Sequence, residues 1–216
     1  MKCIVTAGPT WEPLDRVRRI TNFSTGRLGT ELANFLVARG HEVVLLAGEM
    51  TTWTGPRRAT RVKAFSTTGN LADVLRESMK DNVGAVFHAA AVSDFAVGKT
   101  FQRGPTGELA EVKAGKIATR DGTLLVEMVP TPKIIGNLRK WFPSARLVGW
   151  KYEVDGGREE TIAKARKQIA DCQTDACVAN GPAYGPGFGI VTPAKEVENH
   201  ATMESLFQAL YQLISI

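Results

Sequence analysis

Apolar runs alternate with amphipathic stretches along the first half of the chain, which predicts strands separated by helices. Continuous apolar runs at 2–7, 43–46 and 84–92 are typical of strands covered on both faces. Between them, apolar residues recur at helical spacing after Gly26 and over 69–82. Strand and helix in this order indicate right-handed βαβ units and a parallel sheet.

The middle of the chain breaks this pattern, and the second half resumes it. Residues 98–123 are rich in Gly, Lys and Thr but poor in large apolar groups, which predicts a long mobile loop. The remaining predicted elements are strands at 124–129, 146–152, 175–180 and 188–191, a short helix opened by Pro132, and helices over 158–172 and 203–214. The predicted fold is α/β, a Rossmann-like three-layer domain with a mainly parallel sheet, formed by residues 1–216 as one domain.

The composition is that of a globular protein. Hydrophobic residues make up 44% of the 216 residues and charged residues 23%, which are ordinary values. No apolar run reaches the roughly 18 residues that a transmembrane helix needs, so no membrane partner is expected. The N-terminus enters a strand pattern without signal-peptide architecture, which favours a cytoplasmic location.

The net charge of +5 favours an anionic partner. Basic residues cluster at 16–19 and 57–63, but no aromatic residues interleave with them and no nucleic-acid-binding motif is present. Nucleic acid is therefore not the expected partner. A small phosphorylated substrate satisfies the same charge, and a solvated surface is the alternative for 57–63.

The cysteines and histidines do not form a metal-ligand pattern. The chain has three cysteines, in apolar or helical contexts, and three scattered histidines. We therefore expect reduced thiols and no metal site. His88, in the middle of a predicted strand, is interpreted as a packed histidine and not as a catalyst.

Polar or glycine residues follow four predicted strands directly, at 8–26, 90–95, 149–153 and 180–185. Ligands of open α/β sheets bind at the carboxyl ends of strands, so these segments predict one composite pocket.

The glycines around Gly26 open a predicted helix, whose free N–H groups suit an anion. The alternative is that Gly26 and Gly29 only allow a turn and close helix packing. These glycines lie about eighteen residues beyond the first strand and do not form the G-x-G-x-x-G fingerprint that follows a strand directly. This argues against a nicotinamide-dependent enzyme.

Several motifs resemble those of one enzyme family along nearly the whole chain. Residues 5–10 and 17–26, the latter reading Val-Arg-Arg-Ile-Thr-Asn-Phe-Ser-Thr-Gly, closely resemble the opening of phosphopantothenoylcysteine synthetases. Further segments match that family in order: Ala89–Phe95, the lysine loop at 113–122, Val148–Trp150 with Glu153, and Ala179–Asn180. Because the chain starts at the synthetase motif, the resemblance implies a monofunctional synthetase without the flavin-dependent decarboxylase domain, and hence no flavin.

The resemblance implies a ligase that joins cysteine to 4′-phosphopantothenate in coenzyme A biosynthesis. A nucleoside triphosphate, CTP or alternatively ATP, activates the carboxylate as an acyl-nucleotidylate, and Mg²⁺ accompanies the triphosphate. The implied catalytic residues are Asn22, which holds the acyl-nucleotidylate, and Lys113, which faces the triphosphate. Further implied nucleotide contacts are Ala90, Asp94, Lys116, Gly149 and Trp150. Implied contacts on the phosphopantothenate side are Arg18, Ser24 and Gly26, besides Asn22. A homodimer is also expected from the resemblance alone.

Structural roles are the alternatives for individual residues. Asn22 can cap a turn, Asp94 can cap a helix, Lys113 can be a solvated loop lysine, and Trp150 can belong to the core.

The sequence also departs from the family pattern. Gly115 and Gly181 replace a lysine and an acid, Gln168 and Cys172 stand where two phosphate-binding lysines are frequent, and Trp11 stands where arginine is frequent. The alternative functions are an NAD(P)-binding Rossmann oxidoreductase and a non-catalytic nucleotide-binding relative.

Overall fold

A computed structural model describes residues 1–118, 122–194 and 196–215 of the chain. Its strands are β1 (Lys2–Ala7), β2 (Trp11–Pro13), β3 (Arg19–Thr21), β4 (Glu42–Gly48), β5 (Arg61–Phe65), β6 (Val83–His88), β7 (Phe95–Arg103), β8 (Leu109–Glu111), β9 (Thr123–Pro130), β10 (Arg146–Tyr152), β11 (Ala176–Asn180), β12 (Phe188–Val191) and β13 (Glu198–His200). Its helices are α1 (Arg27–Ala38), α2 (Thr68–Glu77), α3 (Leu138–Trp141), α4 (Arg158–Cys172) and α5 (Met203–Ile214), with 3₁₀ turns at Ser78–Lys80 and Ile135–Asn137.

The largest sheet has the spatial order β13-β12-β11-β10-β6-β1-β4-β5. The strands from β5 to β11 in this order run parallel, and β12 and β13 are antiparallel additions. This confirms the predicted α/β fold with a mainly parallel sheet. The chain first moves outward from β1 to β4 and β5, and then crosses to β6 on the other side of β1. The strand order therefore reverses between β1 and β6, which is where open α/β sheets bind ligands.

Helices cover both faces of the sheet and produce the predicted three layers. α1 and α5 pack on one face, where Val5 of β1 and Leu36 of α1 are fully buried. α2 and α3 cover the other face, where Ile4, Leu71 and Leu138 join a second apolar cluster. Successive residues of β1 thus face opposite layers, as the continuous apolar run at 2–7 indicated.

The predicted loop over residues 98–123 contains strands that the sequence did not predict, and residues 119–121 of this range lie outside the described residues. β7 and β8 occupy much of this range, and they form a small antiparallel sheet with β9 in the order β8-β7-β9. The predicted strand at 124–129 exists, but it belongs to this small sheet and not to the central one. β7 and β8 have no long apolar run, and most of their residues are exposed or only partly buried.

Four more short strands, β2, β3, β5 and β13, were not predicted from the sequence. β2 and β3 form a hairpin inside the predicted loop after β1. β5 is a mostly exposed edge strand with alternating basic residues, and β13 covers β12, so the predicted edge strand at 188–191 is not at the edge. The predicted short helix after Pro132 is a 3₁₀ turn that continues into the single turn α3.

Candidate active site

The candidate site lies where the carboxyl ends of β1, β6 and β10 meet. His88, the last residue of β6, pairs in register with Thr6 of β1 on one side and with Gly149 of β10 on the other. Beyond the strands, Pro9 and Ala91 continue the parallel pairing as an isolated bridge. The segments that follow β1 and β6 are therefore held side by side, as predicted for a composite pocket.

Hydrogen bonds join these two segments into one wall. The Ala91 N–H donates to the Gly8 carbonyl at 3.0 Å, and the Thr10 N–H donates back to the Ala91 carbonyl at 3.1 Å. The Ser93 N–H donates to the Thr10 hydroxyl oxygen at 2.8 Å, and Thr10 is fully buried. Because its backbone groups are paired, this wall is a rigid support for the side chains that it carries.

Asn22 reaches the wall from the loop after β3. Its Nδ2 donates to the Ala91 carbonyl at 3.0 Å, and the neighbouring Thr21 hydroxyl donates to the Thr10 carbonyl at 2.8 Å. The bond of Asn22 spans 69 positions of sequence, so it is not the local turn cap considered as the alternative. The structure thus places Asn22 next to the segment that contains Ala90.

A cavity of about 170 Å³ opens beside this wall. The lining residues are His88, Ala90, Val92, Ser93, Asp94, Thr131, Pro132, Lys133, Ile134, Ile135, Trp150, Lys151 and Gln168. Ala90, Asp94 and Trp150, which the sequence assigned to the nucleotide, are therefore brought together. Asp94 precedes a strand and does not begin a helix, so the helix-cap alternative is wrong.

Gly149 permits the close packing behind this cavity. A Cβ atom at this position would lie 2.5 Å from Gln168 Nε2 and 2.7 Å from Ile135 Cδ1. Both of these side chains line the cavity, so a larger residue at 149 would displace them into it. Gly149 itself is not among the lining residues, so its predicted contact with the nucleotide stays a prediction.

Two lysines that had no predicted role, Lys133 and Lys151, line the cavity. Lys151 Nζ lies 3.1 Å from a carboxylate oxygen of Glu153, and Lys164 Nζ lies 2.8 Å from the other oxygen. The Lys164 hydrogen bond, with help from Lys151, holds the pKa of Glu153 below its ordinary value. Glu153 is therefore ionised at neutral pH and anchors Lys151, while Lys133 brings a second cation to the lining.

Arg18 ties the segment after β8 to the turn before β3. Its guanidinium donates to Asp15 Oδ2 at 3.0 Å and 2.5 Å and to the Ile117 carbonyl at 2.8 Å. The Ile117 N–H also donates to Asp15, at 3.2 Å. The Arg18 hydrogen bonds, supported by backbone N–H donors, hold the pKa of the Asp15 carboxyl well below its usual range. The guanidinium predicted to contact substrate thus also has an internal structural role.

Lys113 and Lys116 lie on this tied segment and are not among the lining residues of the cavity. The Lys113 side chain is 81% exposed, and its Nζ lies 3.9 Å from Glu111. Gly115 contributes to the attachment, since its carbonyl accepts a hydrogen bond from the Arg16 N–H at 3.0 Å. The roles of both lysines toward the triphosphate therefore stay predictions.

Ser24 and Gly26 lead into α1 on the other side of Asn22. Gly26 has a φ of 78°, and a Cβ atom there would lie 2.5 Å from Thr51 Cγ2. A Cβ atom at Gly29 would also be too close to a neighbour, since it would lie 2.7 Å from the Cβ atom of Ala7. Close packing thus accounts for glycine at both positions, which was the alternative to anion binding. The substrate roles of Ser24 and Gly26 stay predictions.

A larger cavity, of about 870 Å³, lies at the opposite end of the sheet and is a weaker candidate. Its wall contains Arg139, whose guanidinium is already bonded to Asp175 and to the carbonyls of Gln173, Pro143 and Ala145. Arg146, also in the wall, lies 3.4 Å from Asp175. These two cations hold the β10–β11 connection together, and the cavity lies away from the carboxyl ends of the strands, where open α/β sheets bind ligands.

Over 1–118, 122–194 and 196–215, no three or more His, Cys, Asp and Glu side chains cluster as a metal site would require. In that part of the chain no helix combines the length and the apolar character needed to cross a bilayer.

Comparison with known proteins identifies the family. The model of the DNA/pantothenate metabolism flavoprotein C-terminal domain matches residues 1–206. The chain belongs to this family. The resemblance that the motifs predicted is thereby confirmed.

Individual relatives agree with this assignment. The chain is 33% identical over 180 residues to the coenzyme A biosynthesis bifunctional protein CoaBC of Thermococcus kodakarensis, covering 83% of this chain and 41% of that protein. It is 40% identical over 196 residues to CoaBC of Mycolicibacterium smegmatis, covering 88% of this chain and 44% of that protein. The chain thus spans less than half the length of these curated relatives.

A solved structure matches the whole fold. The DNA/pantothenate metabolism flavoprotein from Streptococcus pneumoniae superimposes with a TM-score of 0.85 at 27% identity, covering 100% of this chain and 98% of that one. The three-layer arrangement and the reversal of strand order between β1 and β6 therefore belong to a known family fold.

Two of the residues that depart from the family pattern, Gln168 and Cys172, lie on α4. Gln168 lines the cavity, and its Nε2 lies 3.2 Å from Cys177 Sγ on the neighbouring strand. Burial raises the pKa of the Cys172 thiol, and the positive charge of Lys133 opposes this shift. Lys133 lines the same cavity as Gln168, so it brings a cation there from an element other than α4.

Proposed function

We propose that this family member joins 4′-phosphopantothenate and cysteine through an acyl-nucleotidylate, using CTP, in coenzyme A biosynthesis. The observation that supports this most is the bond of Asn22 to Ala91, because it puts a polar amide beside the cavity lined by Ala90, Asp94 and Trp150. The proposed intermediate links an acyl group to a nucleotide, so we expect one protein contact at the point where these two parts join.

The proposed reaction has two steps. A carboxylate oxygen of 4′-phosphopantothenate attacks the α-phosphorus of CTP, and pyrophosphate leaves. The amine of cysteine then attacks the acyl carbon of the intermediate, loses a proton, and CMP leaves. The first step brings two anions together, so it requires cations and preorganised hydrogen-bond donors.

The nucleotide half is assigned to the cavity beside Ala90. At about 170 Å³, the cavity is below the roughly 300–1,000 Å³ of pockets that enclose a whole ligand. We therefore assign the base and ribose to the cavity and the triphosphate to its open side, near Lys133 and Lys151. Mg²⁺ enters with the triphosphate as part of the substrate and shields its charge.

The acyl half is assigned to the side of Asn22 that leads to Ser24 and Gly26. An Asn side chain has two N–H donors and an acceptor oxygen, and one donor of Asn22 is used by Ala91. The second donor suits the acyl carbonyl oxygen of the intermediate, since it adds no charge and is held by a rigid wall.

A direct assay tests this proposal. Purified protein is incubated with 4′-phosphopantothenate, cysteine, CTP and Mg²⁺, and CMP and the amide product are quantified. We expect CMP to form in equal amount with the amide, and only when all substrates are present. Replacing CTP by ATP in a parallel reaction tests the choice of base. A protein that binds CTP but forms no amide would be a non-catalytic relative.

The oxidoreductase alternative is tested by ligand-induced stabilisation. Only a ligand that binds the native state raises its melting temperature, so CTP, ATP and NADPH are compared at equal concentration. We expect stabilisation by the triphosphate and none by NADPH, because the loop after β1 runs into the β2–β3 hairpin and not directly into a helix. Stabilisation by NADPH alone would favour the alternative.

Lys113→Gln is expected to slow pyrophosphate release from CTP and 4′-phosphopantothenate strongly, and Lys116→Gln to slow it less. The variant removes one positive charge near a triphosphate that carries up to about four negative charges, where attraction strengthens as water is excluded. Pyrophosphate release is measured without cysteine, which isolates the first step. If Lys116→Gln alone impaired release, Lys116 would take the proposed role.

A homodimer is also proposed, with the small sheet as the contact. Phe95 and Met128 are exposed on this sheet to 47% and 40%, and the strand register places both on one face, so they offer apolar surface to a second copy. Light scattering after size exclusion should give twice the mass of the chain. A monomeric mass at micromolar concentration would contradict the dimer but not the reaction. The cytoplasmic location stays a prediction.

A further inference from the structure

His88 is a buried titratable residue at the cavity to which the proposed reaction assigns no role. It ends β6 between Thr6 and Gly149, only 6% of its surface is exposed, and it lines the cavity. The interpretation of His88 as a histidine packed inside a strand rested on a strand predicted to continue to Val92. The strand ends at His88 itself, so the ring lies at the ligand-binding end of the sheet.

The hydrogen bonds of Thr6 determine where the ring proton of His88 resides. The Ala90 N–H donates to Thr6 Oγ1 at 3.0 Å, and Thr6 Oγ1 lies 3.0 Å from His88 Nδ1. A hydroxyl has one proton to donate, and within the described residues Nδ1 is the acceptor available to it. If Nδ1 carried the proton instead, the buried Thr6 O–H would have no acceptor among the described residues. We therefore assign Thr6 as the donor to Nδ1, and Nε2 then carries the N–H of the neutral ring.

The other ring nitrogen is directed to the cavity. Within the described residues Nε2 of His88 has no hydrogen-bond partner, but it is not sealed from solvent, unlike Nε2 of His41 and His200. Burial lowers the pKa of His88 to about 4. The ring is therefore neutral at pH 7, and its Nε2–H is an uncharged donor.

We infer that His88 contacts the nucleotide by donating a hydrogen bond from Nε2 to an acceptor on its nucleoside part, and that Thr6 positions this donor by fixing the tautomer. The apolar neighbours Ala90 and Ile135 suit a base or ribose. The cations Lys133 and Lys151, which also line the cavity, suit the phosphates of the nucleotide. This inference rests on the proposed function, because it needs a nucleotide in the cavity.

The tautomer is measured first, in the free protein. The chain has three histidines, so selective ¹⁵N labelling of histidine gives three ring systems, and a His88 variant assigns one of them. We expect His88 to be the Nε2–H tautomer at pH 7 and to lose this strict preference in Thr6→Val. Thr30→Val is the matched control, since Thr30 is a fully buried threonine on α1 whose Oγ1 has no partner among the described residues. An Nδ1–H tautomer in the wild type would overturn the inference.

The contact is measured next, by titrating CTP into two variants. The side-chain amide of Gln reaches the Nε2 position of histidine and that of Asn the Nδ1 position, so His88→Gln keeps a donor toward the cavity and His88→Asn loses it. We expect His88→Asn to weaken CTP binding roughly 3- to 10-fold relative to His88→Gln, the usual range for one neutral hydrogen bond. In the wild type, CTP should shift the Nε2 resonance of His88 and leave those of His41 and His200 in place.

The outcomes separate this inference from the proposed function. A wild-type protein that does not bind CTP overturns both. CTP binding with equal affinity in His88→Asn and His88→Gln, and no shift of the His88 resonance, overturns the inference alone. Should either variant fold poorly, the wild-type resonance shift and the Thr6→Val affinity, expected to fall while that of Thr30→Val does not, decide the question.

Discussion

Asn22→Ala is expected to slow amide formation about 10²- to 10³-fold while the protein stays folded, because loss of one preorganised transition-state donor typically has that effect. Asn22 is exposed, and among the described residues its side chain makes one hydrogen bond, to Ala91, so little folding free energy depends on it. Product formation at saturating substrates and thermal unfolding are measured on the same preparations. Turnover near that of the wild type would remove Asn22 from the site.

A matched control separates catalysis from structure in this experiment. Asn34 on α1 also donates from Nδ2 to a backbone carbonyl, that of Pro56, at 2.7 Å, and its Oδ1 accepts from the Arg58 N–H. Asn34→Ala should therefore lower the melting temperature at least as much as Asn22→Ala, but leave the rate unchanged. Equal rate losses in both variants would indicate a general structural effect.

The parts of the fold that the sequence predicted are those whose burial is uniform. β1, β4 and β6 are covered on both faces, so their apolar runs identify them without any other information. β5 has one fully buried residue, Phe65, and the small sheet has mostly exposed or partly buried strands. Their stability depends on pairing with distant strands, which leaves little trace in local hydrophobicity.

The sequence predicted the residues of the candidate site that belong to the family motifs, but only some of the others. Ala90 and Asp94 follow β6 and Trp150 lies near the carboxyl end of β10, so all three meet where these parallel strands end. The bond of Asn22 to Ala91 spans 69 positions, and no local pattern indicates such a contact. Lys133 and Lys151 had no predicted role, although Lys151 lies in the segment 149–153 that was predicted to contribute to the pocket.

Gly181 illustrates a departure from the family pattern that the backbone itself requires. Its φ is 112°, a conformation that side chains rarely adopt. A Cβ atom at this position would overlap the Glu153 carbonyl oxygen and lie 2.9 Å from the Glu153 nitrogen. The Glu153 N–H also donates to the Asn180 carbonyl at 3.0 Å. The acid that is frequent here in the family does not fit this turn without a shift of the backbone.

Gly181→Ala should therefore destabilise the protein strongly, and Gly185→Ala in the same turn should do so less. Gly185 also has a positive φ, of 88°, but nothing lies within 4 Å of an added Cβ. Gly185→Ala thus has only the conformational cost of roughly 1–2 kcal/mol. Gly181→Ala adds an overlap with backbone, for a total of roughly 3 kcal/mol or more, given strain costs of about 1–3 kcal/mol per residue. For a chain of this size that corresponds to a melting temperature lower by about 6–12 °C.

The same pair of variants tests whether this turn supports the cavity. Glu153 holds Lys151 at 3.1 Å, and Lys151 lines the cavity, so displacing Glu153 moves a cation that the proposed triphosphate needs. Gly181→Ala should consequently weaken CTP binding at a temperature where the variant is fully folded, and Gly185→Ala should not. Equal melting temperatures for the two variants would show that the turn relaxes around the added methyl group. Equal CTP affinities despite a large difference in stability would show that Lys151 is positioned independently of Glu153.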